Sequence, residues 1–145
     1  MEIVPYSEDW LAELIPMWRA SFEAAVGVVD PHPVEEQRNY FLEQVLPHNQ
    51  VVLALVKRQL AGFIAFSSES VDQLYVRAGY QGSGIGSRLL ALAKNNAGGS
   101  LSLYTFARNG GARAFYEKQG FVIEACGHEA SWGLDDIRYR WTAAE

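Results

Sequence analysis

Leu11, Leu14, Ile15, Trp18, Phe22 and Val26 recur at steps of three and four, which predicts a helix with one buried face. Ser7 suits its N-cap, and Glu8 and Asp9 suit the positive end of its first turn. Pro16 lies inside this pattern and predicts a kink or a restart one turn later. Beyond Gly27, Asp30-Pro31-His32-Pro33 reads as a turn whose last proline opens a second helix. Phe41, Leu42 and Val45 form the apolar stripe of that helix, and Pro47 and Asn49 end it.

The middle of the chain changes period. Val51 to Val56 is a continuous apolar run, Lys57 to Gln59 a polar turn, and Ala61 to Phe66 a second run rich in strand formers. Val71 to Val76 resumes the strand pattern after Ser67-Ser68-Glu69-Ser70. From Gly84 the spacing of Ile85, Leu89, Leu92 and Ala93 is helical until Gly98-Gly99. Leu101 to Phe106 reads as a strand, and Ala112, Phe115 and Tyr116 lie on a short helix closed by Gly120. Phe121 to Cys126 and Ile137 to Trp141 form an antiparallel pair around a polar loop, His128 to Asp135. The expected order is α-α-β-β-β-α-β-α-β-β: an α/β (α+β) fold whose mixed, mostly antiparallel sheet carries helices on both faces.

The 145 residues suit a single domain, expected to span 1–145 with front helices at 1–50, a core at 51–127 and a C-terminal hairpin at 128–145. Hydrophobic residues make up 49% and charged ones 20%, a balance that supports one buried core. No run approaches the ~18 apolar residues of a membrane span, and Met1 to Pro5 lacks the basic and apolar regions of a signal peptide. A lone cysteine, Cys126, forms no internal disulfide, and three histidines supply a metal site poorly, so no metal is expected. These features point to a cytoplasmic protein. The net charge of −5 argues against nucleic acid as a partner and weakly favours a cationic one.

Gly82, Gly84 and Gly86 stand between a strand and a helix, where alternating glycines and helical N–H groups make an anion cradle suited to phosphate. Ser87 occupies the place where a dinucleotide fingerprint needs its third glycine, and Ser87-Arg88 replaces the Lys-Ser/Thr of a P-loop. Gln81-x-x-Gly84-x-Gly86 following Gln73-Leu74-Tyr75-Val76 instead resembles the acyl-CoA pyrophosphate loop of the GNAT family of N-acetyltransferases. Asn109-x-x-Ala112-x-x-Phe115-Tyr116-x-x-x-Gly120-Phe121 resembles that family's second motif, in the right order and at the right distance. The resemblance covers roughly Val51 to Trp141.

It implies transfer of an acetyl group from acetyl-CoA to a primary amine, by direct attack in a ternary complex. The amides of Gln81, Gly82, Ser83, Gly84, Ile85, Gly86 and Ser87 are then expected to hold the pyrophosphate. The backbone of Leu74, Tyr75 and Val76 pairs with pantetheine as an added strand, with an N–H near Val76 as oxyanion donor. Asn109 is expected to hydrogen-bond pantetheine, with Ala112 and Phe115 along its path. Tyr116 is the expected general acid for the departing thiolate, against the plainer reading of a buried aromatic pair with Phe115.

The general base is open. Glu69 is the first candidate, since the family often keeps a carboxylate near the start of this strand, followed by Asp72 and His32. Cys126 reads as a small buried side chain rather than a nucleophile. Trp18 and Phe22 are either core or pocket edge, and Trp132 either covers the acceptor or meets a second copy of the chain. The leading expectation is a small-molecule amine acceptor. A modifier of protein amines, a non-catalytic acyl-CoA sensor and a homodimer stay open.

Overall fold

The computed structural model describes residues 1–144, so residue 145 of the expected C-terminal segment lies outside it. The expected order of elements is present, preceded by one more strand. This strand, β1 (Glu2–Pro5), pairs antiparallel with β2 (Gln50–Val56) through Ile3 opposite Ala54 and Val4 opposite Leu53. Four residues are too few to show an alternation in the sequence. Yet Ile3 packs into one apolar cluster and Val4 into the other, as a two-sided strand requires. Pro5 is tolerated because β1 lies at the sheet edge.

A 3-10 turn over Glu8–Trp10 leads into α1 (Leu11–Val26). Ser7 stands at the head of that turn, but its side chain makes no capping bond; its carbonyl accepts the Trp10 N–H at 3.1 Å. Helix α1 runs through Pro16 without a restart, and its buried face includes Leu14, Ile15, Trp18 and Phe22. Pro33 precedes α2 (Val34–Tyr40), which passes through a π turn at Phe41–Val45 and a 3-10 turn at Leu46–His48. Phe41 and Val45 are fully buried.

Strand β2 turns at Lys57 and Arg58, both with positive φ, into β3 (Gln59–Phe66), which pairs with β4 (Val71–Val76). The turn is one residue shorter than the pattern suggests, because positive φ at both central residues matches the twist of a two-residue hairpin. Helix α3 (Ile85–Asn95) packs on one face of this sheet, with Leu89 and Leu90 against Ala54, Ile64 and Phe66. Helix α1 covers the other face, with Trp18 and Leu14 against Leu53, Phe63 and Ala65. Each fully buried Leu or Phe contributes about 1.5–3 kcal/mol.

A second sheet has the order β5-β7-β6, from β5 (Ser100–Phe106), β7 (Leu134–Thr142) and β6 (Val122–Glu129). Helix α4 (Gly110–Lys118) contributes Tyr116 to the cluster formed with Leu101, Leu103, Ile137 and Tyr139. The hairpin strands extend to Glu129 and Leu134, so the polar loop is shorter than the sequence suggests and residue 128 falls inside β6.

Cys126 corrects the sequence reading. It is exposed, not buried, because β6 is an edge strand whose residues from Val122 to His128 are all open to solvent. Among the described residues, no helix is long and apolar enough to cross a membrane.

Candidate active site

Among the described residues, one strand bridge joins the two sheets. Ser70 and Ser102 form an isolated parallel bridge, and the Ser102 N–H donates to the Glu69 carbonyl at 3.0 Å. Beyond this bridge β4 and β5 separate, and neither pairs with the other along Leu74–Val76 or Tyr104–Phe106. The opening between them is a cavity of about 710 Å³.

The direction of the β4 backbone follows from its bonds to β3. The Arg77 N–H donates to Ala61 at 2.7 Å, so by strand alternation Tyr75 also faces β3. Leu74 and Val76 therefore turn their N–H and C=O groups toward the opening. The Val76 carbonyl confirms the direction, since it accepts from the Gln81 side chain at 3.4 Å on that side. An extended amide-bearing ligand fits this unpaired edge.

Where β4 ends, the chain enters the glycine loop. Gly82 and Gly84 have φ of +80° and +88°, and open space surrounds the place of a Cβ at each. Glycine serves backbone conformation at these two positions. Gly86 serves packing, for a Cβ there would stand 3.3 Å from the ring of Phe115. Among the described residues, no backbone N–H from Gln81 through Ser87 has an acceptor; the first helical bond is from Arg88 to the Gly84 carbonyl, 3.1 Å. These amides at the head of α3 are free to bind an anion. The side chains of the loop are used internally: Ser83 donates to the Tyr80 carbonyl, and Ser87 accepts from Gln119 at 2.9 Å.

Opposite β4, Asn109 caps α4. Its Oδ1 accepts the Ala112 N–H at 3.1 Å, leaving the Nδ2 group as a free donor at the cavity wall. Ala112 and Tyr116 line the same wall, and Phe115 packs edge-on against Tyr116, 5.3 Å between ring centres. Tyr116 is 7% exposed, enclosed by Phe115, Phe121 and Tyr139, and its hydroxyl has no hydrogen-bond partner among the described residues. Burial raises its pKa, with the nearby Tyr75 adding to the rise, so the phenol stays protonated and keeps a proton to donate.

The base candidates separate in space. Glu69 is exposed and does not line the cavity; its backbone is tied instead to Ser67 and Ser102. His32 also lies off the cavity, its Nδ1 2.8 Å from Asp30 and its ring 5.1 Å from Trp132. Asp72 lines the cavity beside Tyr40 and accepts from Asn49 at 3.1 Å. Desolvation at the cavity wall raises its pKa, against hydrogen bonds from Asn49 and Gln73 that lower it, and because the residue is itself exposed to solvent the rise is limited. Burial likewise pushes Tyr75 up to about 12.

Trp132 takes a place the sequence left open. It packs on Phe22 at 5.0 Å and Phe106 at 6.2 Å, joining the β6–β7 loop to α1 and β5 at the cavity margin. Trp18 is core, set against Phe41, Phe63 and Tyr75. Sequence reasoning missed Glu129 and Asp136, which line the cavity from β6 and β7. No motif marks them; only the closing of β7 between β5 and β6 brings them there.

Residues 47–123 match the family model for an acetyltransferase (GNAT) domain. No curated relative matches the chain by sequence. Among solved structures, the fold is similar to apo YjaB from Escherichia coli, with TM-score 0.78, 22% identity and coverage of 99% of this chain and 98% of that one. It is also similar to the PaiA N-acetyltransferase of Thermoplasma acidophilum in complex with coenzyme A, with TM-score 0.76, 22% identity and 98% coverage of both chains. YncA of Salmonella typhimurium with acetyl-CoA superposes at TM-score 0.74 and 16% identity, over 100% and 95% of the two chains. Matched over more than half its length, the chain belongs to the GNAT acetyltransferase family, the acetyl-CoA-dependent N-acetyltransferases.

Proposed function

We propose that the cavity between β4 and β5 joins acetyl-CoA to a small primary amine. The observation that carries this reading is the unpaired edge of β4 across the cavity from Tyr116, a buried residue whose hydroxyl has no partner among the described residues. The amides of Gln81 to Ser87 hold the pyrophosphate, while Leu74, Val76 and the Asn109 Nδ2 hold the pantetheine amides. Bound there, acetyl-CoA supplies a thioester carbonyl as the electrophile.

The chemistry asks three things of the chain. Asp72, directly or through water, takes the proton of the incoming ammonium so that nitrogen has a lone pair to attack the carbonyl carbon. The Val76 N–H donates to the carbonyl oxygen as charge gathers on it, worth roughly 3 kcal/mol for a preorganised donor. As the new C–N bond forms and the C–S bond breaks, Tyr116 gives its hydroxyl proton to sulfur, and the second proton, lost from the nitrogen as it becomes an amide, returns to Tyr116 to restore the phenol. The products are an acetamide, free CoA thiol and one released proton.

Asp72 replaces Glu69 in this proposal because it alone of the two opens onto the cavity. The aromatic wall of Trp132, Phe106 and Tyr75 supports a small molecule over a protein side chain. Free thiol release from acetyl-CoA, measured against a panel of amines beside calorimetric CoA binding, tests the reading. Amine-stimulated release is expected; folded protein that binds no CoA would sink it.

A further inference from the structure

The cavity's charge is one-sided. Among the described residues, three carboxylates line it, Asp72, Glu129 and Asp136, and no Lys, Arg or His does. Arg138, two residues beyond Asp136 on β7, does not line the cavity itself; it lies over the ring of the lining residue Tyr104 at 5.9 Å and pairs with Glu124 at 3.2 Å.

Only Asp72 is needed for the proton of the reacting amine. Asp136 and Glu129 sit on the opposite wall. Asp136 stands beside Phe106 in the β5–β7 register and opposite Gly127 in the β6–β7 register. Its carboxylate leans over Gly127, where an added Cβ would come within 2.9 Å of Oδ1. It is half-buried and has no ion-pair partner among the described residues. Glu129 is held by Ser131, whose N–H and hydroxyl donate to one carboxylate oxygen at 2.8 and 2.6 Å. These bonds keep its carboxyl below the usual range, so it stays charged, and leave the other oxygen free.

A second, independent observation marks the cavity as a ligand site: the nine-tenths-buried Tyr116, whose hydroxyl faces it without a partner. Aromatic faces beside carboxylates are the chemistry that holds an alkylammonium, through cation–π attraction and charge-assisted hydrogen bonds.

We propose that the acceptor is an aliphatic diamine, whose far ammonium is held between Asp136, Glu129 and the Trp132 indole while its near amine meets Asp72. The inference rests on the acetyltransferase reading of the same cavity, and its test reads binding separately from turnover. Calorimetry on CoA-loaded protein compares 1,4-diaminobutane with 1-aminobutane and 4-aminobutanoate. The diamine is expected to bind at least about tenfold more tightly than 1-aminobutane, with 4-aminobutanoate weakest. Asp136→Asn should remove most of that preference. Gly127→Ala, which displaces Asp136 without removing its charge, should weaken it with CoA affinity unchanged. Equal binding of diamine and monoamine overturns the proposal, as does a preference that survives Asp136→Asn together with Glu129→Gln. Preferential diamine binding without thiol release from acetyl-CoA upholds the site and counts against the acetyl-transfer reading instead.

Discussion

Gly62 on β3 and Tyr75 on β4 lie so close that a Cβ on Gly62 would stand 2.8 Å from the Tyr75 carbonyl oxygen. That contact sets how far β4 sits from β3, and β4 carries the edge proposed to bind pantetheine. Gly62→Ala must push backbone rather than a side-chain tip. A loss of about 1–3 kcal/mol is expected in urea unfolding, with weaker CoA binding; unchanged values of both would contradict this role.

Tyr116→Phe is expected to lower amine-stimulated turnover by about 10²-fold or more, the lower range for a general acid. The ring contacts with Phe115, Phe121 and Tyr139 survive the change, and the lost hydroxyl had no partner. Melting temperature and CoA affinity should therefore hold. A variant as active as the parent shows that the thiolate needs no phenol.

The raised pKa of Asp72 predicts that turnover rises with pH along a limb above the ordinary carboxylate range, and that Asp72→Asn abolishes this limb. The group also bears on stability. The folded chain keeps this proton to higher pH than the unfolded one, so the contribution is full below the unfolded pKa and falls as pH rises through the folded one. Asp72→Asn should be neutral to stabilising at pH 7 and lose that advantage in acid. Denaturant unfolding at both pH values checks the sign.

Gly84→Ala forces a side chain to a φ of +88° at the head of α3. Such strain costs roughly 1–3 kcal/mol. Relief by a loop shift that misaligns the amides should weaken CoA binding by about tenfold, as 1.4 kcal/mol implies. Calorimetry on a folded variant with undiminished CoA affinity would remove the loop from the binding site.

Cys126, exposed on β6 and not part of the cavity lining, should react fully with iodoacetamide in the native state, with no loss of turnover. Mass spectrometry and the thiol-release assay, run on the same sample with an external thiol standard, check both halves.

Local order was legible in the chain itself. The helical spacing of Leu11 to Val26, the runs Val51–Val56 and Ala61–Phe66, and the glycines at 82 and 84 each encode their conformation within a few neighbouring residues. So did the two motifs that lead to the family, because a phosphate cradle is built from consecutive amides and a capped helix from residues one turn apart. Long-range placement was not legible. Strand β1 is too short to show a period, and its partner lies some fifty residues away. Cys126 looked buried because strand pattern does not reveal which strand is an edge. Glu69 and Asp72 are near neighbours in sequence, yet only Asp72 opens onto the cavity, because β4 and β5 meet at Ser70 and Ser102 and part beyond. Asp136, Glu129 and Trp132 reach that cavity only when β7 inserts between β5 and β6. The sequence by itself determined which backbone offers an anion its unpaired amides; the tertiary structure decided which side chains face the neighbouring cavity, because strand pairing between distant segments sets that face and no local pattern encodes it.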